Sequence, residues 1–124
     1  MTVFPKLVLV VDDEPAVSGV IQSQLQPDEY AAITAESGEE ALEEVQNTKL
    51  VTVLLDLGLS GMTGFEVLQK IKLMKPSLPV IIVTGCHDEA EARKAFELGA
   101  WDYVTKPIDF NYLKNVLLLQ TSAQ

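Results

Sequence analysis

The feature that most constrains how this chain can fold is a short apolar run at residues 50–55, which ends in the carboxylate Asp56. Its Leu, Val and Thr residues show no polar alternation, so both faces of the segment need to be covered. This pattern is typical of a central strand in a parallel sheet with helices on both sides. Ligands bind just beyond the carboxyl ends of such strands, so Asp56 is predicted to lie where chemistry takes place.

Short apolar runs alternate with helical periodicity along the rest of the chain. Residues 6–11, 30–35, 80–83 and 101–105 are predicted as further strands. Apolar residues recur at helical spacing between and after the strands, namely Val17, Val20, Ile21 and Leu25, then Ala41, Leu42 and Val45, then Phe65, Leu68 and Ile71, then Ala92, Ala95 and Phe96, then Phe110, Leu113, Val116 and Leu117. Strands that alternate with helices imply right-handed crossovers. The prediction is a doubly wound α/β domain with five parallel strands and five helices.

Helix ends are marked by residues with specific capping chemistry. Pro15 suits the first turn of the first helix, which Pro27 is expected to end. Gly99 suits the position just after the end of the fourth helix. Polar residues that accept hydrogen bonds from first-turn N–H groups precede the other helices, namely Ser37, Thr63, Asp88 and Asp109.

The composition fits a compact cytoplasmic protein with one domain over residues 1–124. Hydrophobic residues make up 48% of the chain and charged residues 22%, which excludes a disordered chain. No apolar run reaches the roughly 20 residues that a membrane span needs. The single cysteine, Cys86, rules out an internal disulfide. The net charge of −9 would repel a phosphate backbone, so direct nucleic-acid binding is not expected.

Polar groups follow four of the five predicted strands. Asp12 and Asp13 follow the first strand, Asp56 the third, Thr84 the fourth and Lys106 the fifth. Because parallel strands end at the same edge of a sheet, these side chains should share one pocket. Three close carboxylates need a cation, and oxygen ligands of this kind favour Mg²⁺ over Ca²⁺. With an ammonium and a hydroxyl beside it, such a site suits a phosphoryl group, and a carboxylate can be the nucleophile.

Four ordered motifs carry a resemblance to a known family. They are Val-Val-Asp-Asp-Glu at 10–14, Leu-Leu-Asp at 54–56 with Gly64 eight residues later, Val-Thr-Gly at 83–85 and Val-Thr-Lys-Pro at 104–107. In this order, over essentially the whole chain, they resemble the receiver domain of bacterial response regulators. The resemblance implies a flavodoxin-like fold with strand order 2-1-3-4-5.

The same resemblance assigns roles around the central carboxylate. Asp56 would be the phosphoacceptor, and Asp12 and Asp13 the acidic pair that holds Mg²⁺ together with Asp56 and the backbone carbonyl of Gly58. The family usually has proline four residues after the phosphoacceptor, whereas this chain has Ser60. The serine should leave the loop more flexible, which could loosen the metal site without removing a ligand.

Residues on the last two strands match the switch of that family. Thr84 and Lys106 would contact the phosphoryl group, and Tyr103 matches the aromatic residue that turns inward on activation. The peptide bond before Pro107 would be cis, a conformation that proline makes accessible. Gly58 and Cys86 occupy positions where family members vary their dephosphorylation rate, so Cys86 is predicted to be a rate-tuning or neutral position rather than a redox site.

The resemblance implies a phosphorylation-dependent signalling switch rather than an enzyme. A sensor histidine kinase or a phosphotransfer protein would supply the phosphoryl group. The last two helices and the last strand would then change their affinity for a downstream protein or a linked output domain. A weak homodimer through the last two helices is a further expectation.

Three alternative functions are weaker. The glycines at 58, 61 and 64 mimic a dinucleotide-binding loop, but such a loop normally follows the first strand, and Asp56 would repel a pyrophosphate. An aspartate-based phosphatase needs a general acid two residues after its nucleophile, where this chain has Gly58. A constitutive interaction module without phosphorylation has only Ser60 in its favour.

Overall fold

A sheet of five parallel strands forms the centre of the molecule, and the helices pack on its two faces. The computed structural model describes residues 5–26 and 29–123. The elements in chain order are β1 (Lys6–Val11), α1 (Pro15–Leu25), β2 (Tyr30–Ala35), α2 (Gly38–Asn47), β3 (Thr52–Leu55), α3 (Gly64–Met74), β4 (Val80–Thr84), α4 (Glu89–Glu97), β5 (Asp102–Thr105) and α5 (Phe110–Ala123). The strand order is β2-β1-β3-β4-β5, and every pair is parallel. The predicted doubly wound, flavodoxin-like fold is confirmed.

Two strands begin later than the apolar pattern predicts. β3 begins at Thr52 rather than at residue 50, and β5 begins at Asp102 rather than at Trp101. The N–H groups of Val51 and Trp101 nevertheless donate to carbonyl oxygens of β1 and β4 at 2.9 and 2.8 Å. The apolar pattern therefore records contact with the sheet, which extends past the regular strands. The predicted end of α1 at Pro27 lies outside the described residues.

The two faces of the sheet carry separate hydrophobic cores, because side chains along a strand alternate between faces. α2, α3 and α4 cover one face, where the buried residues include Leu9, Val11, Val45, Val53, Leu55, Ile71 and Ala95. α1 and α5 cover the other face, where they include Val8, Val10, Ile21, Leu54, Ile81, Leu113 and Leu117. Coverage on both sides explains why the central strands lack polar alternation.

The helices begin where their capping residues predict. A side chain accepts a hydrogen bond from a first-turn N–H group at the start of four helices, the acceptors being Ser37, Thr63, Asp88 and Asp109. α1 begins at Pro15. Gly99 follows α4 with φ +102°, a conformation that a side chain would strain. None of the helices within the described ranges is both long enough and apolar enough to cross a membrane.

Two apolar residues that helical spacing places in the core lie at the surface instead. Val20 in α1 is 52% exposed and Phe96 in α4 is 48% exposed, although both follow the helical spacing of apolar residues. Each is adjacent in sequence to a fully buried residue, Ile21 or Ala95. Neighbouring helical positions lie about 100° apart, which carries Val20 and Phe96 out of the buried stripe.

Candidate functional site

The hydrogen-bond ladder of the sheet continues past the strands and fixes three side chains at the carboxyl edge. The N–H groups of Asp12, Asp56 and Lys106 donate to the last carbonyl groups of β2, β1 and β4, at 3.1, 3.0 and 2.8 Å. Asp12 is 3% exposed and Asp56 is 7% exposed. The backbone of these residues is therefore as rigid as the sheet, although their side chains extend beyond it.

Lys106 connects two of the carboxylates. Its Nζ lies 2.9 Å from Asp12 Oδ2 and 3.2 Å from Asp56 Oδ2. Burial by itself would lower the pKa of Lys106, but the hydrogen bonds to Asp12 and Asp56 and their negative charges outweigh burial and raise that pKa above its usual value. Lys106 is therefore a fixed cation at neutral pH.

Asp12, Asp13 and Asp56 form a compact carboxylate cluster. Each contributes an oxygen that lies within 4.8 Å of the oxygens from the other two. Three carboxylates and the one ammonium of Lys106 leave two negative charges, which a divalent cation would balance. Oxygen donors at this spacing suit a hard cation, so the donor set fits Mg²⁺. The backbone carbonyl of Gly58 stays a predicted ligand.

Glycines shape the loop after Asp56. The Gly58 N–H donates to Asp56 Oδ1 at 3.0 Å, and a Cβ at Gly58 would lie 3.6 Å from that oxygen. A side chain at this position would stand directly beside the carboxylate, so glycine keeps Asp56 accessible. A Cβ at Gly64 would lie 2.5 Å from Leu57 Cα and 2.8 Å from the Asp56 carbonyl oxygen. Glycine thus allows the start of α3 to approach the end of β3.

Ser60 contacts the third carboxylate. Its Oγ donates a hydrogen bond to Asp13 Oδ2 at 3.0 Å. The bond joins the loop after β3 to the loop after β1, which hold the predicted metal ligands. The sequence indicated a flexible loop at Ser60 but gave no sign of this bond, because a hydroxyl does not reveal its partner.

Thr84 and Tyr103 are connected through the backbone of Cys86. Thr84 is 3% exposed, and its Oγ1 accepts a hydrogen bond from the Cys86 N–H at 3.3 Å. The Tyr103 hydroxyl donates to the Cys86 carbonyl oxygen at 2.9 Å. Burial, together with the Cys86 thiol and the carboxylates of Glu91 and Asp88, raises the pKa of Tyr103 to about 12. Tyr103 therefore stays a neutral hydrogen-bond donor at physiological pH.

The structure thus groups most of the predicted site residues at one edge of the sheet. Asp12, Asp13, Asp56 and Lys106 form a single cluster. The Thr84–Cys86–Tyr103 chain begins at the neighbouring strand end, and the Lys106–Pro107 peptide bond is cis. Sequence reasoning missed the contacts made by Ser60 and by the Cys86 backbone.

Fold and site together define the class of protein: a flavodoxin-like α/β domain with a cluster of three carboxylates and a lysine at the carboxyl edge of its sheet. Residues 8–118 match the response regulator receiver domain. The chain belongs to that family of two-component signalling proteins.

Curated relatives agree with this assignment. The chain is 36% identical over 110 residues to the transcriptional regulatory protein ZraR of Escherichia coli strain K12. The match covers 89% of this chain and 25% of ZraR. It is 37% identical over 102 residues to the alkaline phosphatase synthesis transcriptional regulatory protein PhoP of Bacillus subtilis strain 168. That match covers 82% of this chain and 42% of PhoP. The chain therefore spans less than half the length of these relatives.

Solved structures share the fold over nearly the whole chain. The response regulator TrrA of Thermotoga maritima, determined in complex with Mg²⁺ and BeF, has a TM-score of 0.84 and 32% identity, and the match covers 93% of this chain and 98% of TrrA. A response regulator receiver domain from Clostridium thermocellum has a TM-score of 0.89 and 28% identity, with 95% of each chain covered.

Proposed function

We propose that this receiver domain is a phosphorylation-controlled switch and that Asp56 accepts the phosphoryl group. The observation that carries the proposal is the position of Asp56: it lies at the carboxyl end of β3, hydrogen-bonded to Lys106 and inside the carboxylate cluster. A nearly buried carboxylate among two others is unfavourable unless cations compensate it. This arrangement is expected in a site that binds Mg²⁺ and receives a phosphoryl group, because Mg²⁺ and Lys106 would compensate the carboxylate charges.

The chemistry is a transfer between two nucleophiles. A carboxylate oxygen of Asp56 attacks the phosphorus atom of a phosphohistidine on a sensor kinase or a phosphotransfer protein. The new O–P bond forms as the P–N bond breaks, and the histidine nitrogen leaves with the electron pair. The Lys106 ammonium pairs with the negative charge that collects on the phosphoryl oxygens. Mg²⁺, held by Asp12, Asp13 and Asp56 when it is bound, would neutralise the remaining charge.

Lack of a general acid beside the nucleophile makes the domain a switch rather than a phosphatase. The position two residues after Asp56 is Gly58, which has no side chain to protonate a leaving group or to activate water. The acyl phosphate would consequently persist long enough to be sensed by a partner.

The signal would leave the site through Thr84 and Cys86. The phosphoryl group on Asp56 gives the Thr84 hydroxyl a strong new acceptor. Donating to that group would draw the Thr84 side chain toward Asp56, and so away from the Cys86 N–H, from which its Oγ1 now accepts a hydrogen bond at 3.3 Å. Because the Cys86 carbonyl also holds the Tyr103 hydroxyl, Tyr103 and α4 respond together. The surface formed by α4, β5 and α5 would then change its affinity for a partner.

The partner would be a downstream protein or a linked output domain. The two relatives are named as transcriptional regulators, and each is more than twice as long as its matching part. We therefore propose a role in a pathway of this kind. The net charge of −9 argues that the receiver itself does not contact nucleic acid.

Mass spectrometry after incubation with acetyl phosphate and Mg²⁺ tests the assignment. We expect wild type to gain one phosphoryl group and Asp56→Asn to gain none. Asp109→Asn is the matched control: Asp109 caps α5, asparagine is an equally good cap, and labelling should be unchanged. Equal labelling of Asp56→Asn and wild type would refute the assignment.

A further inference from the structure

Ser60 is the one neutral side chain that donates a hydrogen bond to a carboxylate of the cluster within the described part of the chain. Its hydroxyl donates to Asp13 Oδ2 at 3.0 Å across 47 positions of sequence. Lys106 bonds to the other two carboxylates, Asp12 and Asp56. The position of Asp13 in the cluster therefore depends on a different contact from theirs.

We propose that Ser60 is a positioning residue for the cation site: its hydroxyl orients the Asp13 carboxylate and fastens the loop after β3 to the loop after β1. This inference rests on the proposed function, because it assumes that the cluster binds Mg²⁺. The side chain of Asp13 is partly exposed and would otherwise rotate among several orientations. Mg²⁺ demands near-ideal octahedral geometry, so a ligand already oriented before binding raises affinity.

The loop itself supplies a second reason. Gly61 follows Ser60 with φ +78° and nothing within 4 Å of the place where a Cβ would be. Leu59 and Met62 on either side of this pair pack in the core. Between these two anchors, the hydrogen bond from Ser60 ties the tip of the loop to the opposite side of the site. A proline at this position would stiffen the backbone but could not donate to Asp13. Ser60 thus acts on the Asp13 carboxylate directly, through a hydrogen bond, and not through the stiffness of the backbone.

The opposing effect is electronic. A hydrogen bond to one carboxylate oxygen draws some negative charge away from Asp13 and so weakens it as a ligand. A neutral hydroxyl in an exposed setting withdraws little charge, since solvent competes for the same oxygen. Orientation should therefore outweigh charge withdrawal, and the net effect of Ser60 is tighter Mg²⁺ binding.

Titration of Mg²⁺ into ¹⁵N-labelled protein, followed by amide resonances of both loops, measures the dissociation constant without any phosphodonor. We expect Ser60→Ala to weaken Mg²⁺ binding by about tenfold, the lower end of the range for an outer-shell hydrogen bond, because this one is exposed. Ser60→Thr retains the hydroxyl and should stay within about twofold of wild type. Ser77→Ala, an exposed serine between α3 and β4, should leave the dissociation constant unchanged.

Two results would overturn the inference while leaving the proposed function intact. One is a Ser60→Ala dissociation constant equal to that of wild type. The other is a loss of affinity in Ser60→Thr as large as in Ser60→Ala, since that would point to loop packing rather than to the hydroxyl. If Asp13→Asn binds Mg²⁺ as tightly as wild type, the cluster is not the cation site, and the proposed function fails together with this inference.

Discussion

The three carboxylates of the site differ in what compensates their charge. Asp12 and Asp56 each accept one hydrogen bond from a backbone N–H group and one from the Lys106 ammonium. Asp13 accepts a hydrogen bond from the neutral hydroxyl of Ser60. Asp13 is therefore the carboxylate of the three that Lys106 does not pair with, so its removal should relieve repulsion without the loss of an ion pair.

This difference predicts the effect of neutralising each carboxylate. At 4.8 Å and an effective dielectric constant of about 20, one pair of like charges costs roughly 3 kcal/mol before relaxation. Solvent and Lys106 should reduce the net repulsion to about 1 kcal/mol. We expect Asp13→Asn to raise the free energy of unfolding in EDTA by about that amount, although most substitutions destabilise. Asp56→Asn should raise it less, because it also weakens the pairing with Lys106. Urea unfolding of each variant in EDTA measures both values.

Added Mg²⁺ should make wild type more stable than Asp13→Asn, the reverse of the order expected in EDTA. At ten times its dissociation constant, Mg²⁺ should stabilise wild type by about 1.4 kcal/mol and Asp13→Asn by much less. Glu43→Gln, which removes an exposed negative charge on α2, controls for nonspecific effects of charge and should respond to Mg²⁺ like wild type. A wild type that is indifferent to Mg²⁺, together with an Asp13→Asn variant less stable than wild type in EDTA, would show that the carboxylates do not repel one another as inferred.

Residue positions could be predicted from the sequence better than residue contacts. Asp12, Asp56 and Lys106 follow buried strands, and the edge of a parallel sheet brings such positions together whatever the details of packing. The bond from Ser60 to Asp13 depends on the path of two loops, which no periodicity encodes. The contacts of Cys86 were missed for another reason: they are made by its backbone, so the side chain gives no signal.

At the scale of elements, the length of the apolar stripe determines how well the buried face of a helix can be predicted from the sequence. Long buried stripes such as Leu113 and Leu117 in α5 were identified because every turn repeats the signal. α4 has nine residues and a narrow stripe around Ala95, so spacing alone could not separate exposed Phe96 from the core. Sheet order came from the resemblance to a family, since periodicity does not reveal which strands are neighbours.

The junction between β3 and α3 gives a prediction with an internal control. In Gly64→Ala the new Cβ would lie 2.5 Å from Leu57 Cα and 2.8 Å from the Asp56 carbonyl oxygen, and these backbone atoms cannot move without displacing the strand end. We expect a loss of about 1–3 kcal/mol in the free energy of unfolding, typical of overpacking. Gly19→Ala lies inside α1 with nothing within 4 Å and should gain about 0.5–1 kcal/mol. Urea unfolding of both variants measures the contrast.

Whether Gly64→Ala and Gly19→Ala lose or gain free energy of unfolding tests the close approach of α3 to β3. If Gly64→Ala is as stable as wild type, α3 can shift away from β3 freely, and the close approach at Gly64 does not fix the loop that carries Ser60. If both variants gain stability, helix propensity dominates at both positions and the short distances at Gly64 carry no energetic weight.

At the scale of the whole molecule, a short chain of hydrogen bonds joins the site to the α4–β5–α5 surface. One link runs from Thr84 through the Cys86 backbone to Tyr103, with hydrogen bonds of 3.3 and 2.9 Å. A switch that moves from 1:99 to 99:1 between two states needs about 5.5 kcal/mol of differential binding. A doubly charged phosphoryl group placed among the carboxylates and Lys106 interacts on that energy scale, which agrees with phosphorylation as the proposed trigger.

Beryllofluoride, a mimic of the phosphoryl group, tests this link when it is added with Mg²⁺ to ¹⁵N-labelled protein. We expect amide resonances to shift around Asp56 and also at Cys86, at Tyr103 and along α4. Asp56→Asn should show neither set of shifts, because the mimic has no carboxylate to bind.

Tyr103→Phe removes the hydroxyl that holds the Cys86 carbonyl, so it should retain the shifts around Asp56 and lose most of those in α4. Tyr30→Phe is the matched control, since Tyr30 begins β2 at the other edge of the sheet, far from β5, and it should behave like wild type. Shifts confined to the carboxylate cluster in wild type, or equal α4 shifts in wild type and Tyr103→Phe, would mean that the signal does not travel through Cys86.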